Sequence, residues 1–262
     1  MHEREADANG LRYVYRLIDL EKLGLGADAL PELLTAAERM GFAGVNVTHP
    51  CKQLVIPLLH ELSDVASALG AVNTVLLSHG RRLGHNTDWW GFAESFRRGL
   101  PEVKRGRVVQ LGAGGAGAAV AHAALTLGMA QLMIVDTDRA RAERTAANLA
   151  QRFGQRRAVA ASDLRAAVSE ADGLINATPV GMANYPGLPV PVELLRPDLW
   201  VADIVYFPLE TELLRQARML GCRTLGGGGM AVFQAAEAFR LFTGVRPDTE
   251  RMLRHFAAMT NS

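Results

Sequence analysis

The stretch Gly112-Ala113-Gly114-Gly115-Ala116-Gly117 constrains this chain more than any other. It follows an apolar run, Val108 to Leu111, and opens an alanine-rich segment, Ala116 to Leu127, so a strand, a glycine turn and a helix succeed one another. In that setting Gly112 permits the tight turn, Gly114 lets a pyrophosphate approach the backbone, and Gly117 lets helix and strand pack closely. The helix N-terminus then faces negative charge. The expectation is a dinucleotide held along Gly112, Ala113, Gly114, Gly115, Ala116 and Gly117; the alternative is a tight βα turn and nothing more.

Beyond the loop, apolar strands and amphipathic helices alternate: Gln131 to Val135, Arg139 to Phe153, Ala158 to Ala160, Leu164 to Ser169, Gly173 to Asn176 and Trp200 to Asp203. Such alternation gives a Rossmann-type doubly wound parallel sheet. Upstream, Tyr13 to Leu20 alternates as a strand, Asp28 to Met40 has helical spacing, Gly44 to Thr48 is β-rich, and Val72 to Leu77 is a strand ending at the Ser78-His79-Gly80 turn. The predicted fold class is α/β: a first α/β domain over residues 1–88 and a dinucleotide-binding domain over 89–229. Helices in 230–262 are expected to pack back on the first domain and complete it.

The 28 Lys and Arg against 27 Asp and Glu leave a net charge of +1, which gives no reason to expect nucleic acid or an anionic membrane as partner. No apolar run reaches the roughly 18 residues of a membrane span, and Met1-His2-Glu3-Arg4-Glu5 is too polar for a signal peptide, so a cytoplasmic location is expected. Cys51 and Cys222 lack metal-ligand spacing, and no metal site is predicted; both are expected as free thiols. A small-molecule substrate is the remaining expectation.

Of the 28 cationic residues only Lys22, Lys52 and Lys104 are lysines. Arginine keeps its proton near neutral pH, whereas lysine can exchange one, so a proton relay needs Lys. Lys52 in His49-Pro50-Cys51-Lys52 and Asp88 in Asn86-Thr87-Asp88 are the candidate pair. Each also has a plainer reading, Lys52 as a solvated helix-start residue and Asp88 as a helix N-cap. Roughly 20 residues past the glycine loop, Asp136 ends the second strand of the alternating region, where a carboxylate accepts from an adenosine ribose and repels a 2′-phosphate. NAD is favoured over NADP on that ground, although Arg139 and Arg141 stand close enough in sequence to hold a phosphate.

Gly44-Val45-Asn46-Val47-Thr48-x-Pro50-x-Lys52, Gly70-Ala71-Val72-Asn73-Thr74, Asn86-Thr87-Asp88, the glycine loop, Asn176-Ala177-Thr178-Pro179-x-Gly181-Met182 and Gln234-Ala235 form an ordered set. It resembles the motif set of the shikimate dehydrogenase family over nearly the whole chain. Ala202-Asp203-Ile204-Val205-Tyr206 and Ala238 to Gly244 resemble its NAD-dependent quinate/shikimate branch, and Asp136 agrees. The resemblance implies reversible oxidation of quinate or shikimate, polyhydroxy cyclic carboxylates, at the C3 hydroxyl. Lys52 and Asp88 would be the catalytic pair, and Asn46, Thr48, Asn73, Gln234 and Tyr206 would meet the substrate. Asp136, Arg141, Thr178, Val180, Val205, Gly229 and Met230 would join the glycine loop around the cofactor. A monomer or homodimer is expected.

The family pattern normally includes a further strand and a Ser-x-Ser or Ser-x-Thr loop before the helix with which Met1 aligns. Omission of a real upstream segment is the expectation, with loss of part of the pocket as the rival. The competing functional readings are an NADP-dependent shikimate or aminoshikimate dehydrogenase and a catalytically silent dinucleotide-binding homologue.

Overall fold

The computed structural model describes residues 1–260, which divide into two compact units. One comprises Met1–Thr87 together with the chain from Val232 onward; the other is Asp88–Ala231.

In the first unit the elements are α1 (His2–Ala8), α2 (Leu30–Arg39), β1 (Gly44–Asn46), α3 (Cys51–Leu54), β2 (Glu61–Leu62), α4 (Asp64–Leu69), β3 (Thr74–Ser78) and β4 (Arg81–His85). The sheet order is β1-β3-β4-β2, with β1 and β4 antiparallel to β3 and the short β2 parallel to β4. The Ser78-His79-Gly80 turn is a hairpin joining β3 to β4, with His79 and Gly80 both at positive φ (51° and 71°), as a two-residue primed turn requires. Sequence patterning missed β4 because Arg81-Arg82-Leu83-Gly84-His85 carries few β-favouring residues; pairing with β3 supplies what propensity lacks. Leu34, Val47, Val55, Val72 and Val75 form the core beneath this sheet.

The strand expected over Tyr13 to Leu20 is not formed. Residues 11–19 lack regular structure, and Val14 and Leu17 are 82% and 77% exposed. Alternation alone does not make a strand: ladder bonds to a neighbour do, and among the described residues no strand pairs with this segment. It is pinned instead by side chains. Tyr15 stacks on His2 at 4.7 Å, and its backbone N–H donates to the Glu3 carboxylate at 2.9 Å.

The second unit contains α5 (Asp88–Gly99), β5 (Arg107–Leu111), α6 (Gly115–Thr126), β6 (Gln131–Val135), α7 (Arg139–Phe153), β7 (Ala158–Ala160), α8 (Leu164–Ser169), β8 (Gly173–Asn176), β9 (Trp200–Asp203), α9 (Glu212–Met219) and β10 (Thr224–Leu225). All six strands are parallel in the order β10-β9-β8-β5-β6-β7. This is the doubly wound arrangement, with its direction of winding reversing between β5 and β8. The apolar faces are covered on both sides, by Phe92, Phe96, Val120 and Trp200 on one and Leu174, Leu199, Val201 and Leu213 on the other. Phe96 meets Trp200 edge-on at 5.1 Å, and the Trp200 ring lies over Gly173, where any Cβ would collide with it. Helix α9 and strand β10 escaped the sequence reading; α9 begins at the Thr211 cap, whose hydroxyl accepts from the Leu214 N–H at 3.3 Å.

Helix α10 (Gly228–Thr243) starts in the second unit and continues into the first, followed there by α11 (Thr249–Thr260). Within the first unit α11 is clasped to α1. Glu5, its side chain 1% exposed, accepts from Arg251 Nε at 2.8 Å and Nη2 at 2.6 Å, from the Asp248 N–H, and from Asn9. Burial works against the Glu5 charge, yet these donors outweigh it and hold its carboxyl below the usual range.

Candidate active site

In the second unit the residues predicted around a cofactor are arranged mainly by backbone. Gly112, at φ 89°, directs the chain from β5 toward α6, and a Cβ on it would lie 2.6 Å from the Ala177 carbonyl oxygen. A Cβ on Gly117 would drive into the Gly112 carbonyl. At Gly114, the residue before α6, nothing lies within 4 Å of an added Cβ, so this edge of the loop is open to an approaching group. Gln110, fully buried on β5, donates from Nε2 to the Gly112 and Gly117 carbonyls, both at 2.8 Å, and so fixes the two ends of the loop. Sequence reasoning did not single out Gln110; a polar residue within an otherwise apolar buried strand was the available signal. Closed on one side and open along Gly114, Gly115 and the start of α6, this cradle fits a pyrophosphate.

Asp136 follows β6, with a side chain only 4% exposed. Its Oδ2 accepts from the Ala113 N–H at 2.7 Å and from Arg141 Nε at 3.1 Å; its Oδ1 accepts from the Asp138 N–H at 2.8 Å and from Arg141 Nη2 at 2.6 Å. Burial opposes the charge, but Arg141 and the two backbone donors prevail and draw the carboxyl down to about 2. The carboxylate expected to face a ribose is thus already engaged by four donors, which a ribose hydroxyl would have to join or displace. Arg141 lies on the first turn of α7, its side chain 44% exposed.

The loop after β8 carries Thr178 and Val180. Asn176, fully buried, accepts at Oδ1 from the Thr178 N–H (3.1 Å) and hydroxyl (2.7 Å), and the Thr178 hydroxyl accepts from the Val180 N–H at 3.2 Å. The Thr178 methyl packs toward Gly112. After β9, Val205 is buried and Tyr206 is 54% exposed. Gly229 and Met230 lie in the first turn of α10, Gly229 half-buried and Met230 packed into the core of this unit. Asp88, 6% exposed, is the first residue of α5.

In the first unit the predicted substrate residues lie among side-chain amides and hydroxyls. Tyr15 Oη donates to Asn46 Oδ1 at 3.0 Å, Asn46 Nδ2 donates to Thr74 Oγ1 at 3.2 Å, and Thr74 Oγ1 donates to Asn73 Oδ1 at 3.0 Å. Asn73, 4% exposed, also accepts from the Thr87 N–H at 2.7 Å and donates to the Thr87 hydroxyl at 3.0 Å. This chain joins the end of β1 to the start of β3 and to the residue preceding Asp88, and so links the predicted substrate residues Asn46 and Asn73. Tyr15, Thr74 and Thr87 belong to it without having been singled out.

Thr48 is exposed between β1 and α3, and its carbonyl accepts from the Cys51 N–H at 2.8 Å. Lys52 is half-buried on α3, and its carbonyl accepts from the Val72 N–H at 2.9 Å, tying α3 to the approach of β3. Cys51 packs into the core of this unit, where burial pushes its thiol up and keeps it protonated. Gln234 is half-buried on the part of α10 that belongs to this unit. Among the described residues no three His, Cys, Asp or Glu gather in a way that could hold a metal ion, and no helix is long and apolar enough to cross a membrane.

Comparison with known proteins is consistent along the chain. Residues 1–75 match the shikimate dehydrogenase substrate binding domain, residues 227–255 the shikimate 5′-dehydrogenase C-terminal domain, and residues 96–194 the alanine dehydrogenase/PNT C-terminal domain. The chain is 59% identical to a shikimate dehydrogenase (NADP(+)) of Streptomyces avermitilis, over 100% of this chain and 91% of that protein. It is 49% identical to a quinate/shikimate dehydrogenase (NAD(+)) of Corynebacterium efficiens, over 99% of this chain and 92% of that one. Among solved structures, quinate dehydrogenase from Corynebacterium glutamicum in complex with NAD superimposes with a TM-score of 0.92 at 46% identity, covering 98% of this chain and 92% of the other.

Proposed function

The chain belongs to the shikimate dehydrogenase family and is a dinucleotide-dependent oxidoreductase of the quinate/shikimate type; from that premise we propose that it works with NAD, oxidising the C3 hydroxyl of quinate or shikimate reversibly to the 3-dehydro ketone. The observation that carries the choice of NAD is Asp136, a carboxylate held ionised at the end of β6 with its side chain almost fully buried. A 2′-phosphate placed against it meets like charge, whereas ribose hydroxyls donate to it.

Gly112 to Gly117 would hold the pyrophosphate, with Asp136 and Arg141 at the adenosine end. Thr178, Val180, Val205, Gly229 and Met230 would line the remainder. When bound, the nicotinamide supplies the acceptor for the hydride leaving C3. Lys52 takes the hydroxyl proton on its amine as the C–O bond becomes C=O, and returns it in the reverse direction. Asp88 orients that amine and supports its charge. Asn46, Thr48, Asn73, Gln234 and Tyr206 hold the hydroxyls and carboxylate of the ring; an amide or hydroxyl suits a polyol because it both donates and accepts.

A specific observation favours NADP as a second reading. Arg141 is partly exposed and bound to Asp136 by side-chain contacts alone, so a turn of its guanidinium away from that carboxylate would present it to a 2′-phosphate. Reduction of NAD and NADP by the purified chain, with quinate and shikimate each as donor, decides between them. The expected result is a larger kcat/KM with NAD, collapsing in Lys52→Ala. A larger value with NADP overturns the cofactor assignment, and silence in all four combinations overturns the activity.

A further inference from the structure

Asp203 is 2% exposed at the end of β9. Among the described residues no cation pairs with it: its Oδ1 accepts from Asn176 Nδ2 and the Val205 N–H, each at 3.0 Å, and its Oδ2 accepts from the Thr211 hydroxyl at 2.7 Å. Burying a carboxylate without a counter-ion is costly, and burial pushes its pKa up despite these donors. A neutral side chain would spare that cost, so what the carboxylate contributes must lie in what it organises.

Its particular property is that it only accepts. Together with the Val180 carbonyl it draws the Asn176 NH2, and the Asn176 carbonyl oxygen is turned toward the Thr178 N–H and hydroxyl. With its proton committed to Asn176, the Thr178 hydroxyl is left to accept from the Val180 N–H, while Asn176 Nδ2 also reaches the Val180 carbonyl at 3.0 Å. The same logic runs through the other oxygen. Thr211 donates to Asp203 and so accepts from the Leu214 N–H, capping α9. The carboxylate thus joins the side-chain hydrogen bonds of two loops, one carrying Thr178 and Val180, the other Val205 and Tyr206.

The two loops also lie in van der Waals contact. Gly181, at φ 105°, would place a Cβ 3.5 Å from Thr211 Cβ and 3.8 Å from Asp203 Oδ2. On the far side a Cβ on Gly227 would strike the carbonyls of Ile204 and Val205.

We propose that Asp203 is a positioning residue for the dehydrogenase reaction, an ionic acceptor that ties the Asn176-Thr178-Val180 relay to the Val205 backbone and the Thr211 cap, and thereby fixes both loops against the dinucleotide. The assignment rests on the reading of this unit as the one that holds the cofactor. Asp203→Asn preserves size, but with two donors at Oδ1 its NH2 falls toward Thr211, whose hydroxyl already accepts from the Leu214 N–H and loses the acceptor for its own proton, so the tie between the two loops is broken.

The test uses the whole chain, measuring dinucleotide affinity by NADH fluorescence together with kcat, the KM of each substrate and thermal stability. Asp203→Asn is expected to raise the dinucleotide Kd about tenfold, the scale of one charge-assisted hydrogen bond. The KM of the hydroxy acid should stay within about twofold. Thr211→Val should give a smaller loss of the same kind, and Thr211→Ser should restore it. Where Asp203→Asn fails to fold, the Thr211 pair decides. Lowered thermal stability with dinucleotide affinity and kcat unchanged in the folded variants would make Asp203 merely structural and overturn the proposal alone. A wild-type chain that binds no dinucleotide overturns the cofactor reading and this one with it.

Discussion

The two units carry their proposed site residues on different material. In the second unit the cradle is backbone at the carboxyl ends of β5 and β8, where Gly112, Gly117 and the Ala177 carbonyl approach so closely that no side chain fits between them. In the first unit the corresponding surface is a run of amides and hydroxyls, Asn46, Thr74, Asn73 and Thr87, each satisfied by the next. A backbone cradle recognises what all dinucleotides share. A side-chain network recognises the placement of particular hydroxyls, and one residue can change it. On the proposed function, specificity for the ring would lie in the first unit and affinity for the carrier in the second.

Changes at four positions test the contrast between the units. Lys52→Ala should have the largest effect, lowering kcat by about 10² to 10⁴ fold with the dinucleotide Kd unmoved, and Lys52→Arg should not restore activity because guanidinium does not give up its proton. A coupled loss of cofactor affinity would show that the two roles are not separable.

Acid should act on the second unit through His122. This side chain is 3% exposed, lies edge-on to Trp89 and Phe153, and is drawn down to about 4, first by burial and then by Arg152. The unfolded chain takes up its proton near pH 6.5, before the folded one does, so stability is full above that pH, falls as pH drops toward 4, and levels off below it. The difference amounts to about 3 kcal/mol. His122→Leu should flatten this part of the stability profile in a denaturant titration across pH, and an unchanged profile would assign the acid sensitivity elsewhere.

Gly112→Ala forces a Cβ toward the Ala177 carbonyl at positive φ, at a cost of about 1 to 3 kcal/mol. It should weaken dinucleotide binding while sparing the KM of the ring substrate at saturating cofactor. Asn73→Ala should do the reverse. It leaves the Thr87 N–H without its acceptor, costing about 1 kcal/mol or slightly more, and should raise the KM for quinate or shikimate with NADH affinity unchanged. Calorimetry and steady-state kinetics on the pair would show whether the effects cross over as the division requires.

The same contrast explains what could be read from the chain alone. The parallel sheet and its glycine loop were legible because each element carries its own signal: Val108 to Leu111 is a buried apolar run, and Gly112 and Gly117 occupy positions that exclude a Cβ. Asn46, Asn73 and Asp88 had no such signal, since an isolated amide or carboxylate reads equally well as a cap or turn residue, and it was family resemblance that singled them out. Their partners Thr74, Thr87 and Tyr15 come into view only when β3, β4 and the segment before α2 are laid side by side. The clearest departure, at Tyr13 to Leu20, has the same root: alternation records which faces are apolar, and pairing with a neighbour lies outside the segment's own residues. Gln110 and Asp203 show the remaining gap, because their importance depends on which carbonyls or amides they reach across the fold.

The clasp between Glu5 on α1 and Arg251 on α11 has a consequence for how the molecule comes into being. A ribosome delivers residues 88–231 as one uninterrupted piece, able to close its sheet as soon as β10 emerges. The unit that begins first is finished last: for most of synthesis the carboxylate of Glu5 and the apolar residues awaiting α10 and α11 have nothing to close against. Residues 1–87 therefore wait on residues 232–260 for their closure, while residues 88–231 need nothing made later.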